Sequence, residues 1–446
     1  MALERYAGWK VGVLGMGRSG LAVARALVAA GAEPIVFDDR PEAVAATPYR
    51  AGLLADVPDL AVLVPSPGVP LTHPAPHPVI VAARAAGVPI RGDVDLFAET
   101  LGRRPVVGIT GTNGKSTTTA LIHHLLRTAG IDAEVGGNIG RPVFELEPGP
   151  PGRVFVLELS SYQLDLCESL RCRVAVWLNL TPDHLDRHGD LAGYVAAKER
   201  IFRQQGTGDR AVLGIDDEPS RAVASALAAA GGDVTTVSLT GPADVTVEEG
   251  RLREHSVEIR DLRPLDNLRG RHNWQNIAVA YAAVRALGLD AERACAGLAS
   301  FEGLAHRMEQ VARAGGILWV NDSKATNPDS AEKSLTSFAN VFWIAGGKPK
   351  PGGFRSLRPA LGTVRAGYLI GTAAEEIAAD LGDVVPMHKV GTLEAAVREA
   401  SAAARASGTG EAVVLLAPAC ASFDQFVNFE ARGDRFRALA LAEAAA

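Results

Sequence analysis

Short apolar runs alternate with stretches of helical period along most of the chain. This alternation predicts an α/β fold whose sheets are largely parallel. A first helix is expected at about residues 21–30 and a second after Lys115. The apolar runs that predict strands lie at residues 11–14, 34–38, 60–64, 105–110, 153–159, 174–179, 210–214, 316–321, 341–345, 367–370 and 412–417.

One segment breaks this pattern, and two boundaries divide the rest. Residues 233–263 alternate polar and apolar side chains, which predicts antiparallel strands. The pattern of elements changes near residues 101–105 and again near 303–308. At about 150 residues per domain, a chain of 446 residues is expected to form three domains. We place them at 1–102, 103–306 and 307–446.

Composition and charge exclude several classes of protein. Hydrophobic residues make up 47% of the chain and charged residues 22%, as in ordinary globular domains rather than disordered ones. A net charge of −6 gives no electrostatic reason to bind nucleic acid or an anionic membrane. No apolar run approaches the ~18 residues of a membrane-spanning helix. The first residues carry no pattern of a signal peptide, so we expect a cytoplasmic protein.

The cysteines do not form a recognisable site. Cys167, Cys172, Cys295 and Cys420 are scattered, with no CxxC pair. Reduced thiols therefore explain them better than a zinc ribbon or a disulfide framework.

A glycine-rich turn follows the first predicted strand and precedes a helix. It matches GxGxxG, and Asp38 and Asp39 end the next strand, where a ribose-binding acid is expected. Taken alone, the motif indicates a nicotinamide-dependent dehydrogenase, or a tight turn that binds nothing. Backbone N–H groups at such a helix start also suit a diphosphate. The residues of the turn are Gly15, Met16, Gly17, Arg18, Ser19 and Gly20.

A second loop, between the strand at 105–110 and the next helix, resembles a phosphate-binding loop. It departs from GxxxxGK[ST] because Ile109 stands at the first glycine position. Small residues, a lysine at the helix start and neighbouring hydroxyls remain, and these suit triphosphate and Mg²⁺. ATP binding in turn favours a nucleotide-diphosphate substrate, rather than a redox cofactor, at the GxGxxG turn. The loop residues are Gly111, Thr112, Asn113, Gly114, Lys115, Ser116 and Thr117.

Acidic, histidine and lysine positions follow neighbouring strands. Glu158 ends a strand expected beside the phosphate-loop strand, where it can face the phosphates through Mg²⁺ or simply cap the next segment. The run 181–188 contains His184 and His188, which invites a metallohydrolase interpretation, although the HxHxDH order is absent. A single ligand, His184, is more economical, and His188 is expected to be structural. Lys198, taken alone, belongs to a solvated helix face.

Together, these motifs resemble the Mur ligases, the ATP-dependent amide-forming enzymes of peptidoglycan precursor synthesis. The resemblance covers nearly the whole chain. Its shared features are residues 111–117, Glu158, His184, Lys198, Gly270, Arg271, His272 and Asn273. Its discriminating features, which are closest to those of the members that add D-glutamate, are residues 321–327, Gly346, Gly347, Lys350 and the run 417–433.

The resemblance implies a fold and an activity. It implies a Rossmann-like N-terminal domain for the UDP part of the substrate, a central P-loop-type ATPase domain with a mainly parallel sheet, and a Rossmann-like C-terminal domain that brings the amino acid and closes over ATP. The implied substrates are ATP, UDP-N-acetylmuramoyl-L-alanine and D-glutamate, with two Mg²⁺ ions, and a monomer is expected. The implied reaction joins the alanine carboxyl to the glutamate amine through an acyl phosphate.

The resemblance also assigns residues. Those for the UDP substrate are Gly15, Met16, Gly17, Arg18, Ser19, Gly20, Asp38, Arg40, Ser66, Gly68 and Asn138. Those for ATP are residues 111–117, Asn273, Asn276, Arg307, Asp322 and Lys324. Those for D-glutamate are Thr326, Lys350, Ser422 and Phe429, with Lys348 as the alternative to Lys350. Those for metal are Ser116, Glu158, His184 and Lys198, the last as a carbamate, and Lys115, Glu158, His184 and Lys198 form the catalytic group.

Other functions leave parts of the sequence unexplained. A relative of folylpolyglutamate synthase would not need the N-terminal GxGxxG unit. A dehydrogenase accounts for the first hundred residues only. A nucleotide-binding switch protein would use the phosphate loop but gives no reason for the runs 321–327 and 417–426.

Overall fold

A computed structural model describes residues 2–350, 352–408 and 410–446; Met1, Pro351 and Thr409 lie outside the described residues. The chain divides into two compact units. The first unit comprises Met1–Leu262 and Trp274–Ser300, and the second comprises Arg263–Asn273 and Phe301–Ala446.

The first unit begins with a small parallel sheet of strand order β3-β2-β1-β4. Its strands are β1 Lys10–Leu14, β2 Glu33–Phe37, β3 Arg50–Ala51 and β4 Val62–Pro65. The helices of this region are α1 Arg18–Ala29, α2 Pro41–Ala45, α3 Pro78–Ala85 and α4 Asp93–Leu101.

The larger sheet of the first unit has the strand order β13-β12-β11-β10-β9-β8-β5-β7-β6. It is parallel from β6 to β11, and β11, β12 and β13 form an antiparallel meander. Its strands are β5 Val106–Thr110, β6 Ala133–Gly137, β7 Val154–Glu158, β8 Val174–Trp177, β9 Arg210–Gly214, β10 Val234–Ser238, β11 Val245–Glu248, β12 Arg251–Glu254 and β13 Val257–Asp261. The helices that follow along the chain are α5 Lys115–Thr128, α6 Ser161–Leu164, α7 Leu185–His188, α8 Leu191–Glu199, α9 Glu218–Ala229, α10 Arg271–Ala286 and α11 Ala291–Cys295.

The second unit contains a sheet of order β14-β15-β19-β16-β17-β18, parallel except for β14. Both of its faces are covered: in one central strand Trp343 belongs to one apolar core, whereas Phe342 and Ile344 belong to the other. The strands are β14 Glu309–Ala314, β15 Ile317–Asn321, β16 Val341–Gly346, β17 Val364–Ile370, β18 Met387–Gly391 and β19 Ala412–Leu416. The helices are α12 Pro328–Leu335, α13 Ala374–Leu381, α14 Leu393–Ala406 and α15 Phe429–Ala445.

Short 3₁₀ turns complete the described elements. They lie at Ala2–Tyr6, Leu54–Asp59, Val143–Glu145, Arg200–Phe202, Asp266–Leu268 and Arg355–Thr363. Within the described ranges, no helix combines the length and the apolar character needed to cross a membrane.

The predicted α/β fold with mainly parallel sheets is confirmed, and some details are corrected. The first helix begins at Arg18 rather than near Leu21. The segment 233–263 is antiparallel only from β11 onward, because β10 pairs in parallel with both β9 and β11. Strands β3, β6, β14 and β18 were not predicted. Each lies at the edge of its sheet; β3 is exposed and the other three are only partly buried, so all four lack the continuous apolar run of a central strand.

A buried carboxyl at the start of α4 makes the stability of the first unit depend on pH. Asp93 is 4% exposed, and its Oδ1 accepts a hydrogen bond from Val94 N at 2.8 Å. Burial raises the pKa of Asp93 to about 6. Between pH 4 and 6 the folded chain therefore binds more protons at this site than the unfolded chain, so stability falls as pH rises through that window.

We expect Asp93→Asn to remove this dependence. At pH 7.5 the variant should gain up to about 3 kcal/mol in the free energy of unfolding, because the amide carries no charge to desolvate. At pH 4 it should match the parent. Urea unfolding between pH 4 and 7.5 measures both. Asp290→Asn, at an exposed N-cap where Asn serves as well as Asp, is the control. An unchanged pH slope in Asp93→Asn would contradict the prediction.

Candidate active site

The glycine-rich turn after β1 is held by short contacts that require glycine. Gly15 has φ +95°, and its N–H donates to Phe37 O at 2.7 Å. A Cβ at Gly20 would overlap the carbonyl of Gly15, so the first turn of α1 lies directly against the turn. Ser66 Oγ, from the segment after β4, donates to the same carbonyl at 2.9 Å. The predicted GxGxxG turn and Ser66 therefore lie together at the carboxyl ends of β1 and β4.

Asp38 organises this edge further. Its Oδ2 accepts from Met16 N at 2.6 Å and its Oδ1 from Arg40 N at 3.0 Å. Burial opposes ionisation, but these hydrogen bonds prevail and lower the pKa of Asp38. The Met16 side chain is buried in the apolar core, so this residue offers only its backbone. Gly68 is exposed beyond Ser66.

The phosphate loop adopts a conformation that also depends on glycine. Gly111 has φ +148° and Gly114 has φ +84°, and a Cβ at Gly114 would overlap Oδ1 of Asn276. Asn179, at the end of β8, holds the loop from the side: its Oδ1 accepts from Asn113 N at 2.9 Å, and its Nδ2 donates to Asn113 O at 3.1 Å. Sequence reasoning did not single out Asn179, although its place after a central strand was a usable signal.

Two lysines converge on one carbonyl oxygen of this loop. Lys115 Nζ donates to Gly111 O at 2.9 Å and to Thr112 O at 2.8 Å. Lys198 Nζ, from the last turn of α8, donates to the same Gly111 O at 2.8 Å and lies 4.7 Å from the centre of the Tyr194 ring. Lys198 is 1% exposed. The expectation of a solvated Lys198, which the motif taken alone suggested, is therefore wrong.

Burial and a neighbouring cation change the protonation of Lys198. Desolvation is the larger cause and the charge of Lys115 the next, and together they lower the pKa of Lys198 well below its ordinary value. Asp183 and Glu158 oppose this shift without reversing it. At a given pH, a larger fraction of Lys198 than of an exposed lysine is therefore in the unprotonated amine form.

Glu158 ends β7 beside the phosphate-loop strand, as predicted, with Ile109 as its register partner. The side chain is 2% exposed, and Oε1 accepts from Asn138 Nδ2 at 2.7 Å. Its Oε2 is buried and has no hydrogen-bond partner within the described ranges. A buried carboxylate oxygen without a donor is destabilised unless a cation binds it, and oxygen is the ligand that Mg²⁺ prefers. This orphaned oxygen fits a metal.

His184 is held in an unusual backbone conformation at the start of α7. Its φ of +53° is left-handed, and its Nδ1 lies 2.9 Å from the hydroxyl of Tyr162. Burial lowers the pKa of His184; Asp183 opposes this shift, and the cations Lys115 and Lys198 add to it. A neutral imidazole is the form that ligates metal. His188, expected to be structural, lies with its Nε2 3.0 Å from Ser161 Oγ.

The two asparagines predicted to read adenine are both buried in α10. Asn276 Oδ1 accepts from Thr118 Oγ1 at 3.3 Å. Asn273 Nδ2 donates to Arg269 O at 2.8 Å. Each amide therefore has a protein partner, and Asn276 lies against the phosphate loop through Gly114.

In the second unit, the predicted residues lie in segments that follow neighbouring strands. Asp322, directly after β15, is buried and accepts from Ser334 Oγ; burial raises its pKa to about 6. Lys324 Nζ lies 3.9 Å from the centre of the Phe429 ring. Ser422, in the segment after β19, is buried. The segment after β16 carries Lys348 and Lys350, and both are exposed. Thr326 lies two residues beyond Lys324, and Arg307 lies just before β14.

Two family models cover most of the central and C-terminal parts of this chain. The Mur ligase middle domain matches residues 109–284, and the glutamate ligase domain of Mur ligases matches residues 306–420. The chain belongs to the Mur ligase family. Enzymes of this family are ATP-dependent and generally use Mg²⁺.

Relatives match over nearly the full length. The UDP-N-acetylmuramoylalanine–D-glutamate ligase of Nitrobacter hamburgensis is 51% identical over 97% of this chain and 96% of its own. The enzyme of the same name from Caulobacter sp. strain K31 is 49% identical over 97% and 96%. Solved structures with the same fold include UDP-N-acetylmuramate–alanine ligase from Thermotoga maritima (TM-score 0.62, 20% identity, 97% and 99% covered) and MurF from Acinetobacter baumannii (TM-score 0.60, 18% identity, 98% and 92% covered).

We expect Lys115→Ala to lower ATP-dependent turnover by at least about a hundredfold, because its ammonium and the α5 N-terminus are the positive groups at the loop. Binding of an ATP analogue, followed by calorimetry, should weaken in parallel. Arg127→Ala, in the last turn of the same helix with a side chain 56% exposed, is the matched control and should retain activity. Turnover like that of the parent in Lys115→Ala would refute the assignment of the phosphate loop.

Proposed function

We propose that this enzyme catalyses the ATP-dependent addition of D-glutamate to UDP-N-acetylmuramoyl-L-alanine, a step of peptidoglycan precursor synthesis. The observation that carries the proposal is near full-length identity of about 50% to enzymes named for this reaction. The proposal also accounts for both glycine-rich turns, which a dehydrogenase or a simple ATPase would not. Because the reaction consumes ATP, we place it in the cytoplasm. The monomeric state stays a prediction.

The proposal divides the chain into three working parts. Residues 1–102 would bind the UDP substrate, 103–306 ATP, and 307–446 the amino acid, the first and last of them as Rossmann-like domains. Support comes from the sheets, because the strands of the first lie between residues 10 and 65, those of the second between 106 and 261, and those of the third between 309 and 416. Parallel sheets bind ligands at the carboxyl ends of their strands, and the assigned residues follow such ends.

In the UDP part, the turn after β1 supplies backbone N–H groups at the start of α1 for a diphosphate. Arg18 Nη1 donates to Gly140 O at 3.5 Å, which brings the turn beside the loop that carries Asn138. Asn138 also donates to Glu158, so one side chain connects the substrate region to the buried carboxylate. Asp38, Arg40, Ser66 and Gly68 would complete this part of the site.

The first chemical step activates the alanine carboxyl. A carboxylate oxygen attacks the γ-phosphorus of ATP, the bond from that phosphorus to the β,γ-bridging oxygen breaks, and ADP leaves with the electron pair. The products are ADP and an acyl phosphate. Lys115 and the N–H groups of the phosphate loop neutralise charge that spreads over the phosphoryl oxygens. Positioning and electrostatics dominate because the protein forms no covalent bond in this step.

The residues present fit Mg²⁺. Glu158, with its orphaned oxygen, Ser116, His184 and the carbamate of Lys198 would hold it, and the ions when bound would neutralise phosphate charge. The number of ions stays a prediction. The protein's own contribution is to keep Glu158 buried and hydrogen-bonded to Asn138 and to hold His184 against Tyr162.

The environment of Lys198 supports a carbamate at this side chain. The free amine attacks CO₂, and loss of one proton gives an N-carboxylate with two oxygen ligands. Only the unprotonated amine reacts, and burial next to Lys115 lowers the pKa of Lys198 in the direction that the reaction needs. The modification also replaces a basic amine with an anion beside Lys115, where two lysines otherwise share Gly111 O.

The second chemical step forms the amide. The unprotonated amine of D-glutamate attacks the acyl carbon, the bond from that carbon to the phosphate oxygen breaks, and phosphate leaves with the electron pair while the nitrogen loses one proton. Thr326, Lys350, Ser422 and Phe429 would hold the glutamate, and Lys348 stays the alternative to Lys350. Water must be excluded, because it would hydrolyse the acyl phosphate. The roles of Asn273, Asn276, Arg307, Asp322 and Lys324 towards ATP stay predictions.

We expect phosphate release from ATP to require both UDP-N-acetylmuramoyl-L-alanine and D-glutamate. The measurement compares D-glutamate, L-glutamate, meso-diaminopimelate and no amino acid, with the amide product followed by mass spectrometry. Release with D-glutamate alone would establish the substrate and the reaction class together. Release that is indifferent to the amino acid would leave an ATPase core and refute the assigned amino-acid site.

We expect Lys198→Ala to lose activity that a short carboxylic acid, such as acetate or propionate, partly restores. The added carboxylate would take the place of the carbamate in the cavity that the truncated side chain leaves. The control is Glu199→Ala, at the neighbouring position of α8, with and without the same acids. No rescue at any concentration would count against the carbamate, while leaving the family assignment intact.

A further inference from the structure

A buried arginine lies beneath the segments assigned to the amino acid. Arg432, in the first turn of α15, is 1% exposed. Its Nε donates to Ser323 Oγ at 3.0 Å, and its Nη2 donates to Ser323 O at 2.9 Å. Nη1 and Nη2 also donate to Cys420 O, each at 3.2 Å. The guanidinium therefore bridges the segment after β15 and the segment after β19.

The same group reaches towards a third segment. A Cβ built at Gly347 would lie 3.1 Å from Arg432 Nη1, and Gly347 has φ +131°, so the segment after β16 approaches the guanidinium in a conformation that suits glycine. The sheet order places β15, β19 and β16 side by side. The three segments that follow these strands surround one side chain.

Backbone hydrogen bonds join the three segments to each other. Ala419 N donates to Ala325 O at 2.9 Å, between the segments after β19 and β15. Lys348 N donates to Ala421 O at 2.8 Å, and Ala421 N to Lys348 O at 3.0 Å, between the segments after β16 and β19. A displacement of one segment would therefore be transmitted to the other two.

We propose that Arg432 is the positioning residue of the amino-acid site, whose guanidinium holds the segments that carry Thr326, Ser422 and Lys350 in one arrangement. This inference rests on the proposed use of those segments to bind D-glutamate. Arg432 acts through them and does not touch the substrate.

The chemistry requires arginine at this position. The buried carbonyls of Ser323 and Cys420 would lose a donor if the side chain were removed, and an unmade hydrogen bond of a buried polar group is costly. Ser323 Oγ in turn donates to Phe429 O at 2.8 Å, so loss of the fork also releases the start of α15. Burial lowers the pKa of Arg432 to about 10, which leaves it charged at neutral pH. A lysine keeps the charge but lacks the planar fork that spans two carbonyls and a hydroxyl.

The test compares Arg432→Lys with the parent enzyme in steady state. We expect the KM for D-glutamate to rise at least about tenfold while the KM for the UDP substrate changes less than about twofold. A merely structural role would lower the active fraction, and hence apparent kcat, without separating the two KM values. Equal KM values for D-glutamate in variant and parent, or a parallel rise in both KM values, would overturn the proposal.

Arg435→Lys is the matched control on the same helix. Arg435 is half exposed, and its Nε donates to Glu394 Oε1 at 2.7 Å, an ion pair that lysine can keep. Both KM values should be unchanged in this control.

Ser323→Ala provides a second, milder variant that keeps the test decisive if Arg432→Lys fails to fold. It removes the hydroxyl that accepts from Arg432 Nε, and we expect the same selective rise in the KM for D-glutamate, by about threefold. The double variant should be little worse than Arg432→Lys alone, because both changes break one network. Fully additive effects would contradict a shared role.

Hydrogen exchange separates this inference from the proposed function. In Arg432→Lys, amides 348, 419 and 421, which donate the bonds between the segments, should exchange faster together, with amides of the β5–β8 region unchanged. If the parent shows no D-glutamate-dependent phosphate release, the proposed function fails. Joint acceleration of amide exchange in Arg432→Lys would still support the inference that Arg432 holds the three segments together. Acceleration confined to α15, with the three segments unaffected, would overturn it.

Discussion

The shared acceptor Gly111 O is the constraint around which the candidate active site is arranged. Two lysine Nζ atoms cannot both remain cationic within hydrogen-bond distance of one carbonyl without strong mutual repulsion. Lys115 lies at the start of α5, in the loop that we propose binds phosphate. Lys198 is the one that is buried, so it is the one whose pKa falls. The geometry thus distinguishes the two lysines: burial lowers the pKa of Lys198, whereas Lys115 lies in the partly exposed loop at the start of α5.

This constraint also explains the neighbours. Glu158 is buried, and its Oε2 has no hydrogen-bond partner within the described ranges. A cationic Lys198 could have neutralised this carboxylate. Tyr194 covers Lys198 with its ring, and its hydroxyl lies 3.3 Å from Thr112 Oγ1, so the same side chain keeps the amine dry and supports the loop. These contacts keep the surroundings of Lys198 poorly accessible to water, which suits the metal site proposed there. In the proposed function, a bound cation would supply the partner that Glu158 Oε2 lacks within the described residues.

The motifs predicted the central strands and the phosphate loop well, because both depend on local patterns. Continuous apolar runs mark strands that are buried on both faces, and glycines with positive φ mark the loop. The edge strands β6 and β14 escaped prediction since most residues of each are only partly buried and its pairing depends on distant residues. The burial of Lys198 also could not be read locally: the sequence around it suits a solvated helix face, and only packing of α8 against the loop removes it from water. Family resemblance, rather than pattern, supplied that residue.

Arg432 is a second residue whose importance could not be predicted from the local sequence. It was visible in the sequence only as part of the run 417–433, and nothing in its spacing distinguishes it from Arg435 and Arg437 of α15, neither of which is buried. Its importance arises because parallel strands β15, β19 and β16 deliver their carboxyl ends to one edge, where three irregular segments leave carbonyls without sheet partners. A planar group with five donors satisfies such carbonyls in one place. Loops that meet only through two or three backbone hydrogen bonds would not by themselves hold a ligand to within the fraction of an ångström that catalysis requires. The precision of an amino-acid site built from such loops therefore has to come from a side chain beneath them.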